Sequence, residues 1–402
     1  MIPVPLLRPD NDAIDALKKW SEEASGGDRE IAWDIYREAA DSLRPRFVKF
    51  SIPFLSLPST TSNEIALKVF IQMNTSASKL SAYDIVVAQV ETADTSLHEL
   101  TDQLRQEVPT LAEFIEPSDL MMAVTALLQN KVPSNSTYLA KGFGDHLIGV
   151  WDATVHGIRG AVRFLEEEKL FDGKRLPSDV VLYPLAALWS GVHGLDSEGR
   201  ARNILRKYIW RAFCTDRYER TSATRALTDY RQLSAHLKGE QTAIDIFDDD
   251  KHPLPTIEQI KIAGWPVRKD RLARAILAVS LRSGGLDFAD GSQLSRENIK
   301  KREYHHLFPN AWLAKADFQN DMIFRALNCG LVSWQTNRTI SDKSPSIYLD
   351  ERMDRASLGE SEIRKRLDSH LIPLAPIKAE SYEAFLDERS TLVRTRMIER
   401  CQ

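Results

Sequence analysis

The feature that most constrains the fold is a succession of helix-like segments between residues 85 and 240. Segment after segment carries apolar residues at positions i, i+3 and i+4, which is the spacing of amphipathic helices. Proline or glycine ends each one, at Pro109, Pro117, Pro133, Gly142–Gly144, Gly173–Pro177 and Gly191–Gly199. The chain has 402 residues, enough for two or three domains. We therefore predict a mainly α fold.

Two segments before this region predict different secondary structure. Residues 11–45 read as charged helix, whereas Phe47–Leu57 alternates apolar and polar side chains as a strand does. Pro53 predicts that this strand lies at the edge of a sheet, because proline has no N–H to donate to a neighbouring strand. Capping-box sequences at Thr61–Glu64 and Ser81–Asp84 each predict the start of a helix.

Charge and cysteine content narrow the class of protein. A net charge of −4 and a pI near 6.2 mean that a DNA-binding function would need a local concentration of Lys and Arg. The three cysteines include no CxxC pair, which argues against a zinc knuckle or a disulfide framework and favours a reducing compartment. The longest apolar run, Val180–Trp189, is shorter than the about 20 residues that span a bilayer. We expect a cytoplasmic protein with no membrane partner.

A His-His-x-x-Pro sequence followed by two asparagines carries the clearest chemical signal. His305, His306 and Pro309 precede Asn328 and Asn337, which lie nine residues apart. Hydrolysis of a phosphodiester needs an activated water and charge stabilisation, which a neutral histidine and one divalent cation can supply. Mg²⁺-like ions take few protein ligands and keep several waters. The order of these residues therefore predicts a one-metal nuclease hairpin.

Each residue of this motif has a predicted role. We expect His306 to be the general base, His305 and Asn337 to bind the metal, and Asn328 to hold the loop in shape. Nearby basic residues are predicted to contact DNA, and these are Lys300, Lys301, Arg302, Lys315, Arg338 and Lys343. The alternative is that the histidines are a solvated or hydrogen-bonded pair and the asparagines are ordinary helix caps. Only the combined order favours the nuclease.

The same residues carry a resemblance to a known family. Tyr304-His-His-Leu-Phe-Pro309 and the segment Thr336–Leu349 resemble the C-terminal HNH-type (His-Me finger) nuclease domain of the GmrSD class of type IV, modification-dependent restriction endonucleases. Val69–Thr75 with Lys79–Asp84 is similar to the second half of that family's ParB-like nucleotide-binding sensor domain. The family's Asp-Gly-Gln-Gln-Arg nucleotide motif is absent, since Asp172-Gly-Lys-Arg175 reads as a turn.

This resemblance implies an organisation and a function. We expect a sensor-domain remnant at 1–84, a helical domain at 85–240, an acidic linker at 241–255 and a ββα-metal nuclease domain at 256–402. The implied activity is cleavage of DNA, including modified phage DNA, with Mg²⁺ or Mn²⁺ in bacterial antiviral defence. One site per chain favours a homodimer for double-strand cleavage. The implied cofactor set contains no nucleotide.

Four other interpretations remain open. The chain could be a non-catalytic or incomplete subunit that needs a separate nucleotide-binding partner, or the inactive product of a truncated gene. Trp265 could stack on a DNA base, although core packing is the commoner role. Asp287 could be an accessory acid, although a helix cap is the commoner role.

Overall fold

The structure is a computed structural model. It describes residues 2–50, 56–58, 60, 61, 65, 69, 81–91, 95–192, 196, 199–267, 270–333, 336, 337, 343–355 and 359–402, the side chains of 352 and 355 excepted. With 64% helix and 3% strand, it confirms the mainly α class. None of the described helices combines the length and the apolarity needed to cross a bilayer.

The chain divides into two compact units, residues 1–72 and 73–402. The first unit contains α1 (Asn11–Ala24), α2 (Arg29–Arg37) and α3 (Arg44–Lys49), with a π-helical turn at Glu38–Leu43. Asp10 and Asp28 cap α1 and α2, because their carboxylates accept hydrogen bonds from backbone N–H groups of the first turn. A small core holds Leu7, Leu17 and Ala39.

The predicted strand at Phe47–Leu57 is wrong in its described N-terminal part. Residues 47–49 complete α3 instead, because the helical backbone continues from the π-helical turn without a break. Phe47, Val48 and Phe50 are 54%, 50% and 74% exposed, so their apolar character reflects no buried strand face. Several other predicted segments lie outside the described residues, namely 51–55, 62–64, 70–80 and Arg338.

The predicted succession of helices is confirmed in the second unit. Ser81 and Asp84 form the expected capping box at the start of α4. The helices of this part are α4 (Ala82–Val90), α5 (Leu97–Glu107), α6 (Leu111–Phe114), α7 (Pro117–Leu128), α8 (Asn135–Tyr138), α9 (Phe143–Gly149), α10 (Trp151–Glu167), α11 (Leu182–Trp189), α12 (Arg200–Cys214) and α13 (Ser222–Leu237). Their apolar faces form one large core that continues into the C-terminal part.

The segment predicted to be a linker is packed against the helices. It contains a 3₁₀ turn at Asp245–Phe247. The guanidinium of Arg211 donates hydrogen bonds to the carbonyl oxygens of Ile246 and His252, at 2.9 Å each, and pairs with Asp249. Residues 241–255 are therefore fixed within the second unit. The division of that unit into a helical domain and a nuclease domain stays a prediction.

The C-terminal part is built on one hairpin surrounded by helices. β1 (Arg302–His306) pairs antiparallel with β2 (Cys329–Ser333), so that His306 lies opposite Cys329 and Arg302 opposite Ser333. Its helices are α14 (Ile257–Ile262), α15 (Arg271–Leu281), α16 (Asn310–Lys315), α17 (Asn320–Ile323), α18 (Pro345–Arg355), α19 (Gly359–Asp368), α20 (Leu374–Lys378) and α21 (Tyr382–Cys401). α21 packs against α12, α14 and α15.

Candidate functional site around the β1–β2 hairpin

One side of β1 carries a chain of polar contacts. His305 is 4% exposed, and its Nδ1 lies 2.7 Å from Oδ1 of Asn337. The Nδ2 of Asn337 donates to a carboxylate oxygen of Glu303, also at 2.7 Å. Glu303 and His305 share a face of the strand because alternate side chains point the same way. The hairpin thus brings together the two predicted metal ligands, with a carboxylate beside them that sequence reasoning did not select.

His306 lies in a different environment. Its imidazole stacks on the indole of Trp265, with centroids 4.1 Å apart and an interplanar angle of 14°. The ring of Phe324 meets it edge-on at 4.9 Å. Successive residues of a strand point to opposite faces, which explains why His305 and His306 have separate neighbours. The predicted base is held by aromatic contacts, while the predicted metal ligand is held by hydrogen bonds.

Three consecutive residues of β1 carry buried polar atoms without a hydrogen-bond partner among the described residues. These atoms are the hydroxyl of Tyr304, Nε2 of His305 and Nε2 of His306. A fourth such atom is Nε of Arg175, whose guanidinium carbon lies 5.5 Å from the centre of the Tyr304 ring. Buried polar groups are normally paired. The four atoms lie on or beside β1, and the described residues supply no hydrogen-bond partner for any of them. Such a concentration at one strand needs a physical explanation.

Burial sets the protonation of the two histidines. It lowers the pKa of His305 to about 4, although the hydrogen bond with Asn337 opposes this shift. Burial, with a smaller contribution from His305, also lowers the pKa of His306 to about 4. Both rings are therefore neutral at pH 7. A neutral imidazole keeps one nitrogen lone pair, which can bind a metal or accept a proton.

Asn328 fixes the turn that follows β1. Its side chain is fully buried; Oδ1 accepts a hydrogen bond from the backbone N–H of Phe308 at 2.8 Å, and Nδ2 donates to the carbonyl oxygens of Phe308 and Ile323 at 3.1 Å each. The backbone N–H of Leu307 also donates to the carbonyl of Asn328. These bonds fit the predicted positioning role, since they hold the backbone next to His306.

Asp287 holds the opposite end of the hairpin. Its fully buried carboxylate pairs with Arg302 at 2.6 Å and accepts hydrogen bonds from the Ser333 N–H and the Thr336 hydroxyl. Burial opposes ionisation, but bonds from Thr336, Ser333 and Ala289 prevail and lower the pKa of Asp287. Asp287 thus ties β1, β2 and the residues before Asn337 together, a wider role than the predicted helix cap.

The predicted DNA-contacting residues differ in availability. Arg302 is 4% exposed, and its guanidinium donates hydrogen bonds to Asp287 and Ser292. It is therefore buried in the protein and does not contact DNA as predicted. Lys301 and Lys315 are exposed. Lys300 is exposed but pairs with Glu113 at 2.6 Å, and Lys343 pairs with Glu351 at 2.6 Å. Arg338 lies outside the described residues.

A groove of about 610 Å³ runs beside the hairpin, and residues from the helical part form its far wall. Its lining includes Glu303, Asn337 and Trp265, the basic residues Lys174, Arg175 and Lys300, and the acidic residues Glu113 and Asp172. A Cβ at Gly173 would lie 2.0 Å from the Phe114 carbonyl oxygen, so glycine lets the turn bearing Lys174 and Arg175 pack closely. The turn itself was predicted; its position at this groove depends on contacts distant in sequence.

The amide oxygen of Asn337 and the imidazole of His305 are donor types that occur at divalent-cation sites. Among the residues that the structure describes, no group of three or more His, Cys, Asp or Glu side chains converges as a metal cluster. His305 and Asn337 nevertheless place a nitrogen and an oxygen 2.7 Å apart. Because an amide oxygen only accepts, Nδ1–H of His305 donates this hydrogen bond, and the lone pair of the neutral ring lies on Nε2, for which no partner is seen among the described residues. Two protein ligands are compatible with an ion that keeps several waters.

Comparison with known proteins gives little further information. Over 177 residues the chain is 22% identical to an uncharacterized protein of Methanocaldococcus jannaschii. The match covers 41% of this chain and 29% of that protein, so the chain spans less than a third of the relative's length. No family model matches the chain.

Proposed function

We propose that this protein is a metal-dependent DNA endonuclease of the GmrSD-like type, acting in restriction of phage DNA that carries modified bases. The observation that carries the proposal is a row of buried polar atoms on Tyr304, His305 and His306, beside Asn337, for which the described residues supply no hydrogen-bond partner. Buried polar groups are normally paired, so a cluster of such atoms on one strand supports a role beyond structure. A hairpin that handles a substrate and an ion would leave them available.

The proposed role of each residue follows from the environment of its side chain. His306 is neutral at pH 7 because burial lowers its pKa to about 4, so its lone pair can accept a proton from water. His305 and Asn337 would hold Mg²⁺ or Mn²⁺, which when bound would neutralise phosphate charge and stabilise the leaving oxygen. Asn328 keeps the turn after His306 fixed through its three side-chain hydrogen bonds.

The groove beside the hairpin is lined by side chains of both charges, and Lys174 is its candidate contact for a DNA phosphate. Arg175 and Lys300 also line the groove, but they are paired with Asp172 and Glu113, whereas Lys174 forms no ion pair in the described part of the chain. A contact from Lys174 would position a phosphodiester backbone next to the site, as backbone contacts do in DNA enzymes. Lys301 and Lys315 are exposed and would supply further backbone contacts.

The finer architecture is part of the proposal. β1, β2 and the helical residues 336 and 337 would form the ββα-metal unit, with Asn337 at the start of its helix. Residues 1–84 would be a remnant of a ParB-like sensor domain.

A second candidate, a subunit that needs a separate nucleotide-binding partner, is favoured by one observation. Ile31, Trp33, Phe47, Val48 and Phe50 of the first unit are each at least half exposed, and exposed apolar patches mark interaction surfaces.

A plasmid-cleavage assay tests the proposed activity. Wild type and His306→Ala are incubated with plain and modified plasmid DNA, with Mg²⁺ or Mn²⁺, and with and without nucleotide. We expect metal-dependent cutting that the substitution reduces by about 10²-fold to 10⁴-fold. His236→Ala, at an exposed histidine of α13, is the matched control. Equal cutting by His306→Ala would contradict the proposed base, and no cutting by folded wild type would favour the incomplete subunit.

A further inference from the structure

We propose that Glu303 is the charged ligand of the metal site, completing a His305–Asn337–Glu303 set. This inference rests on the proposed function, because it concerns the ion that would serve cleavage. Glu303 was not among the residues selected from sequence. It precedes the His-His pair by two positions and would pass for an ordinary strand residue without its tertiary contacts.

The first argument is geometric. Glu303 and His305 lie on the same face of β1, and both contact the side-chain carboxamide of Asn337. The Nδ1 of His305 lies 2.7 Å from Oδ1, and the Glu303 carboxylate lies 2.7 Å from Nδ2. Asn337 thus accepts a hydrogen bond from Nδ1–H of His305 and donates one from Nδ2 to Glu303, so one carboxamide links the two side chains. His305 and Asn337 are part of the proposed metal site, so Glu303 is already within reach of it.

The second argument is the pairing of the neighbouring carboxylates. Glu113 is neutralised by Lys300, Asp172 by Arg175 and Asp287 by Arg302. Glu303, by contrast, forms no ion pair with any residue in the described part of the chain. Its carboxylate accepts a hydrogen bond from the neutral side chain of Asn337. A half-buried carboxylate without a cation is more costly than a paired one. A bound divalent cation would supply the missing positive charge.

The third argument concerns the ion. His305 and Asn337 are both neutral ligands, so together they compensate none of the charge of a divalent cation. Mg²⁺ and Mn²⁺ favour carboxylate oxygens, and Mg²⁺ sites commonly use one or two of them together with waters. Glu303 supplies such an oxygen. It also lines the groove with Asn337, which leaves room for waters or a phosphate oxygen on that side.

Titration of the DNA-free protein with MnCl₂, followed by calorimetry and by the electron paramagnetic resonance of free Mn²⁺, tests the assignment. Glu303→Gln keeps the size of the side chain and removes its charge. We expect its Kd for Mn²⁺ to rise by about tenfold to a hundredfold or more, since even residues that only support ligands cost that much. Glu303→Asp, which keeps the charge, should bind more tightly than Glu303→Gln.

Glu113→Gln is the matched control, because Glu113 lines the same groove but is paired with Lys300. Its Kd should stay within about twofold of wild type, since it is not a ligand. Unchanged Mn²⁺ binding in folded Glu303→Gln would overturn the assignment, as would equal losses in both variants or a wild type that binds no Mn²⁺ at millimolar concentration. Thermal melting of each variant verifies folding.

The two proposals fail differently. Loss of Mn²⁺ binding in Glu303→Gln supports the ligand assignment even if wild type cuts no DNA, and then only the nuclease function fails. Metal-dependent cutting by wild type, with Mn²⁺ binding unchanged in Glu303→Gln, would retain the nuclease and reject Glu303 as a ligand.

Discussion

The indole of Trp265 lies flat against the imidazole of His306, with ring centroids 4.1 Å apart. Trp265 is 9% exposed, so the stack shields one face of the histidine from water. The edge of Phe324 covers it further. Of the two roles considered for Trp265 from sequence, the structure favours packing, and the partner is the predicted general base.

Removing the indole should change the titration of His306. In Trp265→Ala the imidazole gains water, so its pKa should rise from about 4 toward about 6.5. A higher pKa means that the neutral base is lost at a higher pH. The acid limb of the cleavage profile should therefore move from near pH 4 in wild type toward pH 6.5 in the variant.

NMR titration of the His306 ring protons gives the same pKa without any activity measurement. Trp312→Ala, at a partly buried tryptophan that packs against Phe308, is the control and should leave the His306 titration unchanged. A wild-type His306 that titrates near pH 6.5 would contradict the expected effect of burial.

Asn328→Asp should destabilise the protein. The substitution preserves shape, but it removes the two hydrogen bonds that Nδ2 donates to the carbonyls of Phe308 and Ile323, and it buries a charge. We expect a loss of about 2–4 kcal/mol in the free energy of unfolding. Urea denaturation followed by circular dichroism measures it. Asn320→Asp, on an exposed residue at the start of α17, should change stability by less than about 0.5 kcal/mol; an equally small effect at Asn328 would refute the positioning role.

Local sequence patterns predicted the helical part well. The spacing of apolar residues between 85 and 240 and the Ser81–Asp84 capping box depend on neighbours within one or two turns, and both match the structure. The predicted strand at Phe47–Leu57 was wrong in its described part because alternation alone cannot distinguish a buried strand face from an exposed helix end. Residues 47–49 are helical because they continue the helix that begins at Arg44.

The candidate site was predictable only in part. The order of His305, His306, Asn328 and Asn337 singled out the hairpin, and the structure brings His305 and Asn337 into contact. The burial of Arg302 against Asp287 depends on a partner 15 residues away, and the Arg175 contact with the Ile299 carbonyl spans 124 residues. No local signal reports such contacts. A charged residue beside a motif can be either a ligand or a buried structural ion, and tertiary packing decides which.

Asp287→Asn should be more damaging than a typical surface change. The amide cannot balance the charge of Arg302, which is 4% exposed. Breaking one half of a buried ion pair costs about 3–5 kcal/mol. The double variant Asp287→Asn with Arg302→Met, which removes both charges, should recover part of this loss in the same urea experiment. A single variant as stable as wild type would show that the pair does not hold the hairpin.

Buried histidines should make stability depend on acid pH. Burial lowers the pKa of His305 and of His370 to about 4, and Nε2 of His370 also contacts the Leu286 carbonyl at 2.9 Å. The unfolded chain, with histidine pKa values of about 6.5, binds protons at a pH where the folded protein does not. Stability is therefore full above about pH 6.5 and is lost as the pH falls toward 4, by up to about 3 kcal/mol per histidine.

Replacing one of these histidines isolates its share of the effect. His370→Gln should reduce the loss of stability between pH 6.5 and 4 by about 3 kcal/mol. Any change in stability at pH 7 does not affect this test, because only the decrease of stability with pH depends on proton uptake by the histidine. His236→Gln, on an exposed residue, should leave the decline unchanged. Urea unfolding at half-unit pH intervals measures both. An unchanged decline in His370→Gln would mean that the proton uptake on unfolding belongs to other groups.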